Sequence, residues 1–310
     1  MPEKIAVSVA VEEYKFALRR LSVASQTWYS TRLDQFAAWC ASRGLTLEKV
    51  KATETRKYIE YLKTIPNQRT GNPVSTHTIH AHARVIRAFL HWCNKEEGLD
   101  EYVTVKATRV DMPKLEKHVI EVFSPKDIKA LLKACSKEAY PELQQRSRAV
   151  ISLLYETGIR ASELCGLTLE NVHLDTRGAS YIKVMGKGKK EREVGLGASA
   201  SKEVYKYIHR FRKASVNEHH VFLSRSHQPL TVYGLDQLVE RISTGAGVED
   251  CYPHKFRHTF AVNYLQAGGD LFDLARLMGH STTEVTKLYL EAYNSTHARQ
   301  KGISLLDNLQ

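Results

Sequence analysis

Across residues 75–98 the apolar side chains Ile79, Ala83, Ile86, Leu90 and Cys93 recur every three or four positions, a period that fits an α-helix with one buried stripe. His77, His80, Arg84, Arg87 and His91 fall on another face at the same helical spacing. Such a face is too polar for a core, so the helix must lie at a surface with its cations outward. A second amphipathic run, residues 25–43, carries Leu33, Phe36, Ala37 and Cys40 at i, i+3, i+4 and i+7. Trp28, Trp39 and Trp92 sit on these helices as single aromatics, the usual pattern of packing residues.

Charge says what the exposed cations are for. The chain of 310 residues carries a formal net charge of +11. Up to residue 122 there are 19 basic against 14 acidic residues, giving +5, and beyond it 26 against 20, giving +6. Basic surface on both halves is the footprint of a protein that grips a polyanion from two sides, and a nucleic acid is the expected partner. His80, Arg84 and Arg87 are then expected to face DNA. Five cysteines, an odd number without CxxC spacing, read as buried free thiols in a reducing compartment. No stretch of 18 apolar residues and no apolar segment after the N-terminal Met occur, so no membrane role and a cytoplasmic location are expected.

The segment 101–122 mixes Thr, Lys, Asp111 and Pro113 without a period and reads as a linker. It separates a helical domain, 1–100, from a second domain, 123–310, with a tail from about residue 295. Ser124-Pro125-Lys126-Asp127 opens that domain with a capping hydroxyl, a proline at the first helical position and an acid at the third. Helices follow, with one β insertion: residues 181–184 and 193–196 read as short strands around the basic turn Gly186-Lys187-Gly188-Lys189-Lys190. The fold class is therefore mainly α with a small β-sheet insertion, in two domains.

The residues able to do chemistry lie in the second domain. In TGIRASEL, Arg160 stands at the mouth of a helix whose Leu164 and Leu167 point to the core; a structural ion pair with Glu163 is the plain alternative. His254 and Arg257 are three apart on one helical face and can reach a single phosphate together. His254 and His258 at i, i+4 have the spacing of a zinc pair, but Lys255-Phe256-Arg257 between them supplies cations where a metalloprotease helix has its glutamate, so no metal is expected. His258 reads instead as a core histidine. Tyr289 follows His280 by nine residues. A phenol with a pKa near 10 needs a base or a cation beside it to act as a nucleophile at neutral pH. Tyr293 is a rival, thirteen residues after His280.

The ordered set TGIRASELCGL, GKGKKER, HKFRHTF and LMGH followed by Tyr289 resembles the tyrosine recombinase or phage integrase family, over nearly the whole chain. The resemblance implies that Arg160 and Arg257 clamp the scissile phosphate and that Lys187 protonates the leaving 5′ oxygen. His254 and His280 assist, and Tyr289 is the nucleophile that forms a 3′-phosphotyrosyl link. It implies an α+β catalytic domain behind a helical core-binding domain, closing on DNA as a clamp, with Lys189 and Lys190 among the DNA contacts. No cofactor is implied. A homotetramer on paired sites is, with the apolar tail Ile303, Leu305, Leu306 and Leu309 passed to a neighbouring protomer or folded back on its own. The alternatives are a type IB topoisomerase, which shares the covalent chemistry, and a non-catalytic DNA-binding protein, which leaves the Arg, Lys, His, Arg, His, Tyr series without a purpose. A metal-dependent nuclease would need clustered carboxylates or cysteines near those histidines.

Overall fold

The computed structural model describes residues 4–66, 71–103, 109–115, 120–175, 179–186, 191–213, 218–279, 286 and 288–290. The chain divides into two compact units, Met1–His118 and Val119–Gln310. Among the described residues no helix is long and apolar enough to cross a membrane.

Four helices make the first unit: α1 (Val7–Ala17), α2 (Val23–Ala41), α3 (Ala52–Thr64) and α4 (Thr76–Cys93). Serine hydroxyls start two of them, Ser22 accepting the Ser25 N–H of α2 and Ser75 the Thr78 N–H of α4. Their apolar stripes meet in one core of Leu33, Phe36, Tyr58, Leu62, Ile86 and Phe89. Two features go beyond the sequence reading. Helix α1 buries Val7, Ala10, Val11 and Tyr14, a period of the same kind that the reading passed over. The buried stripe of α4 is also wider than its most apolar positions, because His82, Val85 and Phe89 join it. His82 is accommodated by a hydrogen bond between its Nδ1 and the Tyr58 hydroxyl, 3.2 Å apart. Trp39 is buried, while Trp28 and Trp92 pack against the core from its rim. The segment expected as a linker contributes at both ends: Val103 and Val110 belong to the first core, and Ile120 and Val122 pack in the second unit.

The second unit comprises α5 (Pro125–Ala134), α6 (Pro141–Thr157), α7 (Ala161–Cys165), the strands β1 (Val172–His173), β2 (Ser180–Met185) and β3 (Glu191–Leu196), then α8 (Ala198–Lys206), α9 (Val232–Ala246), α10 (Pro253–Gln266) and α11 (Leu271–Met278). The cap anticipated at α5 forms as a reciprocal pair, Ser124 Oγ accepting the Asp127 N–H while the Asp127 carboxylate accepts the Ser124 N–H. The sheet is antiparallel in the order β1-β2-β3, with Ile182 opposite Val194. Its alternation places Ile182, Val184, Val194 and Leu196 on the buried face, against the core centred on Leu153 and Leu154 of α6. A smaller cluster of Ala261, Val262, Leu265, Leu274, Met278 and Tyr289 ties α10 to α11. Four of the five cysteines are buried free thiols, and Cys251 is half-buried.

Candidate active site

Helix α6 ends at Gly158, whose φ of 59° lies in the left-handed region open to glycine. The turn that follows delivers Arg160 to the start of α7. There the Glu163 carboxylate, buried to 7% exposure, accepts both the Arg160 backbone N–H and its Nη1, each at 2.8 Å. Arg192 of β3 reaches the same carboxylate through Nη1 and Nη2, again at 2.8 Å each, and donates Nε to the Leu277 carbonyl at 2.6 Å. Burial alone would raise the Glu163 carboxyl, but the bonds from Arg192 and Arg160 hold it below the usual carboxylate range. The ion pair anticipated as an alternative to a phosphate-binding role for Arg160 is therefore present, and it aligns the guanidinium. The Arg160 Nη2 donates to the Gly279 carbonyl at 3.0 Å.

Arg257, on α10, is 1% exposed. Its Nη1 donates to the Gly158 carbonyl at 2.8 Å and its Nη2 to the Met278 carbonyl at 2.6 Å. Burial, with Arg160 nearby, pulls its pKa down to about 10, which still leaves a cation at neutral pH. Two left-handed glycines thus present their carbonyls to the two arginines, Gly158 to Arg257 and Gly279 to Arg160. Neither tolerates a side chain: a Cβ would stand 2.5 Å from the Phe260 ring at Gly158 and 2.9 Å from Arg192 Nη1 at Gly279. Lys255, between the site residues in sequence, turns away to lie 3.6 Å from Glu121 and over the Phe123 ring.

Tyr289 is set among the apolar side chains of α10 and α11 and is 3% exposed. Its hydroxyl is 3.0 Å from His258 Nδ1. Here the sequence reading is corrected: once a zinc pair was set aside it took His258 as a core histidine, whereas the side chain is half-buried and bonded to the tyrosine. The one available signal was its position four residues after His254, on the same helical face. The two imidazoles meet edge-on, centroids 4.5 Å apart, with His254 exposed. Burial, followed by Arg257 and Arg160, lowers the pKa of His254; burial, followed by His254 and Arg257, pushes His258 down to about 4. Burial raises the Tyr289 phenol above its ordinary value despite opposing pulls from Arg257 and Arg160. The neighbours expected to ready the phenol are in place, while burial favours its protonated form.

Arg160, His254, Arg257 and Tyr289 thus come together, joined by Glu163, Arg192 and His258, which the sequence did not single out as site residues. Lys187, Lys189, Lys190, His280 and Tyr293 lie outside the described residues. The DNA-facing candidates of α4 belong to the other unit, where Arg84 and Arg87 are exposed and His80 is half-buried. Arg84 lies over the Trp28 ring, 5.0 Å from its centroid.

Comparison with known proteins places this site in a family. The model described as "Phage integrase family" matches residues 121–296. A tyrosine recombinase XerC of Staphylococcus carnosus (strain TM300) is 30% identical over 271 residues, 86% of each chain. The fold is similar to that of the XerH site-specific recombinase bound to palindromic difH substrate in a post-cleavage complex, with a TM-score of 0.72 at 18% identity over 94% of this chain and 83% of that one. It is equally similar to the Tn1549 transposon integrase in complex with a circular intermediate DNA, TM-score 0.72 at 16% identity over 96% and 99% of the two chains.

Proposed function

The chain belongs to the phage integrase family, and from that membership we infer its reaction: it is a tyrosine recombinase that cleaves and rejoins DNA strands at specific sites through a 3′-phosphotyrosyl intermediate. The Tyr289 Oη attacks phosphorus, the bond to the 5′ oxygen breaks, and Lys187 gives that oxygen a proton. Arg160 and Arg257 neutralise the charge that spreads over the non-bridging oxygens, a task for which a planar fork of donors suits better than a point charge. His254 and His280 add hydrogen bonds to the phosphoryl group. Because one phosphoester replaces another, a 5′-hydroxyl from a second strand reverses the step without ATP, and no metal is needed to neutralise charge that two arginines already cover. The observation that carries these roles is the convergence on a buried tyrosine of both guanidiniums, Arg257 held by two backbone carbonyls and Arg160 by Glu163 and the Gly279 carbonyl.

Around this centre we propose that the two basic units close on duplex DNA as a clamp, with His80, Arg84, Arg87, Lys189 and Lys190 on the backbone, and that four protomers act on paired sites in the cytoplasm. The charge of both halves supports the clamp, and the apolar tail supports the assembly. The test is a suicide substrate incubated with the protein in chelator. Wild type and Tyr293→Phe are expected to give an adduct that survives denaturation, and Tyr289→Phe none while retaining DNA binding. An adduct with Tyr289→Phe, or one that forms only with a divalent metal, overturns the assignment.

A further inference from the structure

The Tyr289 hydroxyl lies 3.0 Å from His258 Nδ1, on a ring that nothing in the mechanism above uses. A hydroxyl and a ring nitrogen at that separation share a hydrogen, and the two rings are close overall, their centroids 5.5 Å apart. The phenol can donate its hydrogen to Nδ1 when the imidazole proton sits on Nε2, and that tautomer is the one the proposal requires. Nucleophile and base within hydrogen-bond reach, the base steadied by a third group, is the arrangement by which a weak hydroxyl is made reactive. His258 also packs edge-on against His254, ring centroids 4.5 Å apart.

We propose that His258 is the proton acceptor for Tyr289 in strand cleavage and its proton donor in rejoining. The inference rests on the reading of Tyr289 as the nucleophile. In cleavage Oη bonds to phosphorus, the bond to the 5′ oxygen breaks, the phenol proton moves to His258 Nδ1, and the 5′ oxygen takes a proton from the donor assigned to Lys187. In rejoining a 5′-hydroxyl attacks, its proton returns to that donor, and the imidazolium reprotonates the departing phenolate.

The surroundings of the pair couple the transfer to substrate. Burial, His254 and Arg257 all oppose a charged His258, while burial favours the protonated phenol, so these groups by themselves leave the proton on oxygen. A phosphodiester bound against Arg160 and Arg257 brings the negative charge that offsets those cations. That charge favours proton transfer to His258 when a phosphate is in place to be attacked. The half-buried position of His258 against the exposed one of His254 fits this division, the inner ring serving the phenol and the outer one facing the substrate side.

His258→Asn is the informative variant, because its carbonyl oxygen can accept the phenol hydrogen bond but cannot take the proton. Its adduct formation is expected to fall on the order of a hundredfold or more, the scale of losing one general base, with single-site DNA binding unchanged. Replacing Tyr289 by a fluorinated tyrosine of lower pKa is expected to restore most of that rate in the Asn variant and to change wild type little. Wild-type speed in His258→Asn, or a slow variant that the fluorinated phenol does not help, overturns the proposal. Tyr289→Phe runs beside it: an adduct there sinks the nucleophile assignment, whereas no adduct there with a fast Asn variant sinks only the role of His258. If His258→Asn loses DNA binding, nitrogen NMR of the full-length wild-type protein decides. An unprotonated His258 Nδ1 whose resonance moves in Tyr289→Phe supports the proposal, and a protonated Nδ1 overturns it.

Discussion

The molecule handles cationic side chains in two ways. On α4 the cations His77, Arg84, Arg87 and His91 are exposed along one face, with Arg84 resting on Trp28 and the helix otherwise held by its apolar stripe. At the junction of α6, α7, α10 and β3 the arginines are fixed instead, Arg257 buried between the carbonyls of Gly158 and Met278, Arg160 half-buried and held by Glu163 and Gly279. Exposed arginines meet a phosphate wherever it lies and lose rotamer freedom on doing so. Fixed ones have already been ordered by folding, so an anion meets them in one geometry. The first arrangement suits attraction along a duplex, the second the stabilisation of charge at one place during reaction.

The largest effect expected from that difference separates Arg257→Lys from Arg87→Lys. Arg257 uses two separate Nη groups against two carbonyls, and a lysine, with all its donors on one nitrogen, lacks the planar fork that spans both. Arg257→Lys should slow adduct formation on the order of a hundredfold or more while leaving DNA affinity within a small factor. Arg87→Lys should be nearly silent in both assays, since an ammonium satisfies a lone phosphate almost as well. Single-turnover cleavage and gel-shift titration on one substrate measure both. Equal losses of binding and cleavage in Arg257→Lys would make it a phosphate anchor of the same kind as those on α4.

A second effect, on stability and not on rate, is expected at Glu163, the anion that organises these arginines. Glu163→Gln leaves Arg192 and Arg160 packed together without their counter-charge, and removing one partner of a buried pair costs about 3 kcal/mol or somewhat more. Its pH dependence has a definite sign. The carboxyl is held below its ordinary value in the folded protein, so its contribution is fully present above the usual Glu range and is lost as pH falls through the lowered value. The gap in unfolding stability between wild type and Glu163→Gln should accordingly be full at neutral pH and narrow on acidification. Denaturant titrations at neutral and acid pH measure the gap, and one that is constant or grows in acid contradicts the ion-pair account.

How far sequence went depends on whether the cause of a feature was local. Periodicity located α2 and α4, the Ser124–Asp127 cap formed as its spacing implied, and the two long strands fell on either side of the basic glycine turn. The positions of Arg160, His254, Arg257 and Tyr289 came from motif resemblance, and their meeting depends on long-range packing. What stayed hidden involves partners far apart in the chain. Arg192 and Glu163 are 29 residues apart and look like ordinary surface charges until β3 folds against α7. The carbonyls of Gly158, Met278 and Gly279 act through backbone, which carries no side-chain signature. His258 was placed on the right helix, but periodicity gives a residue's face and not its contact, and that contact is made by Tyr289, 31 residues later.

The smallest effect tests the exposed half of the comparison. If Arg84 and Arg87 act on DNA only through charge, each change to Ala removes one neutralised phosphate. The slope of log affinity against log salt should then fall by about one for each change, with the loss uniform across target and unrelated sequences. Cleavage of DNA already bound should not change, because the fixed arginines are ordered without help from α4. Arg84 carries a second expectation. Its guanidinium shares the Trp28 ring with that of Arg32, 4.3 Å from the ring centroid, and Arg32 is lowered first by burial and then by Arg84. Removing Arg84 relieves that repulsion, so Arg84→Ala should leave unfolding stability unchanged or slightly higher, where Arg87→Ala has no such compensation. Salt titrations of both variants with thermal unfolding measure these effects. A sequence-selective loss of affinity in either one would mean that α4 reads bases, and that its exposed cations are positioned as closely as those of the catalytic unit.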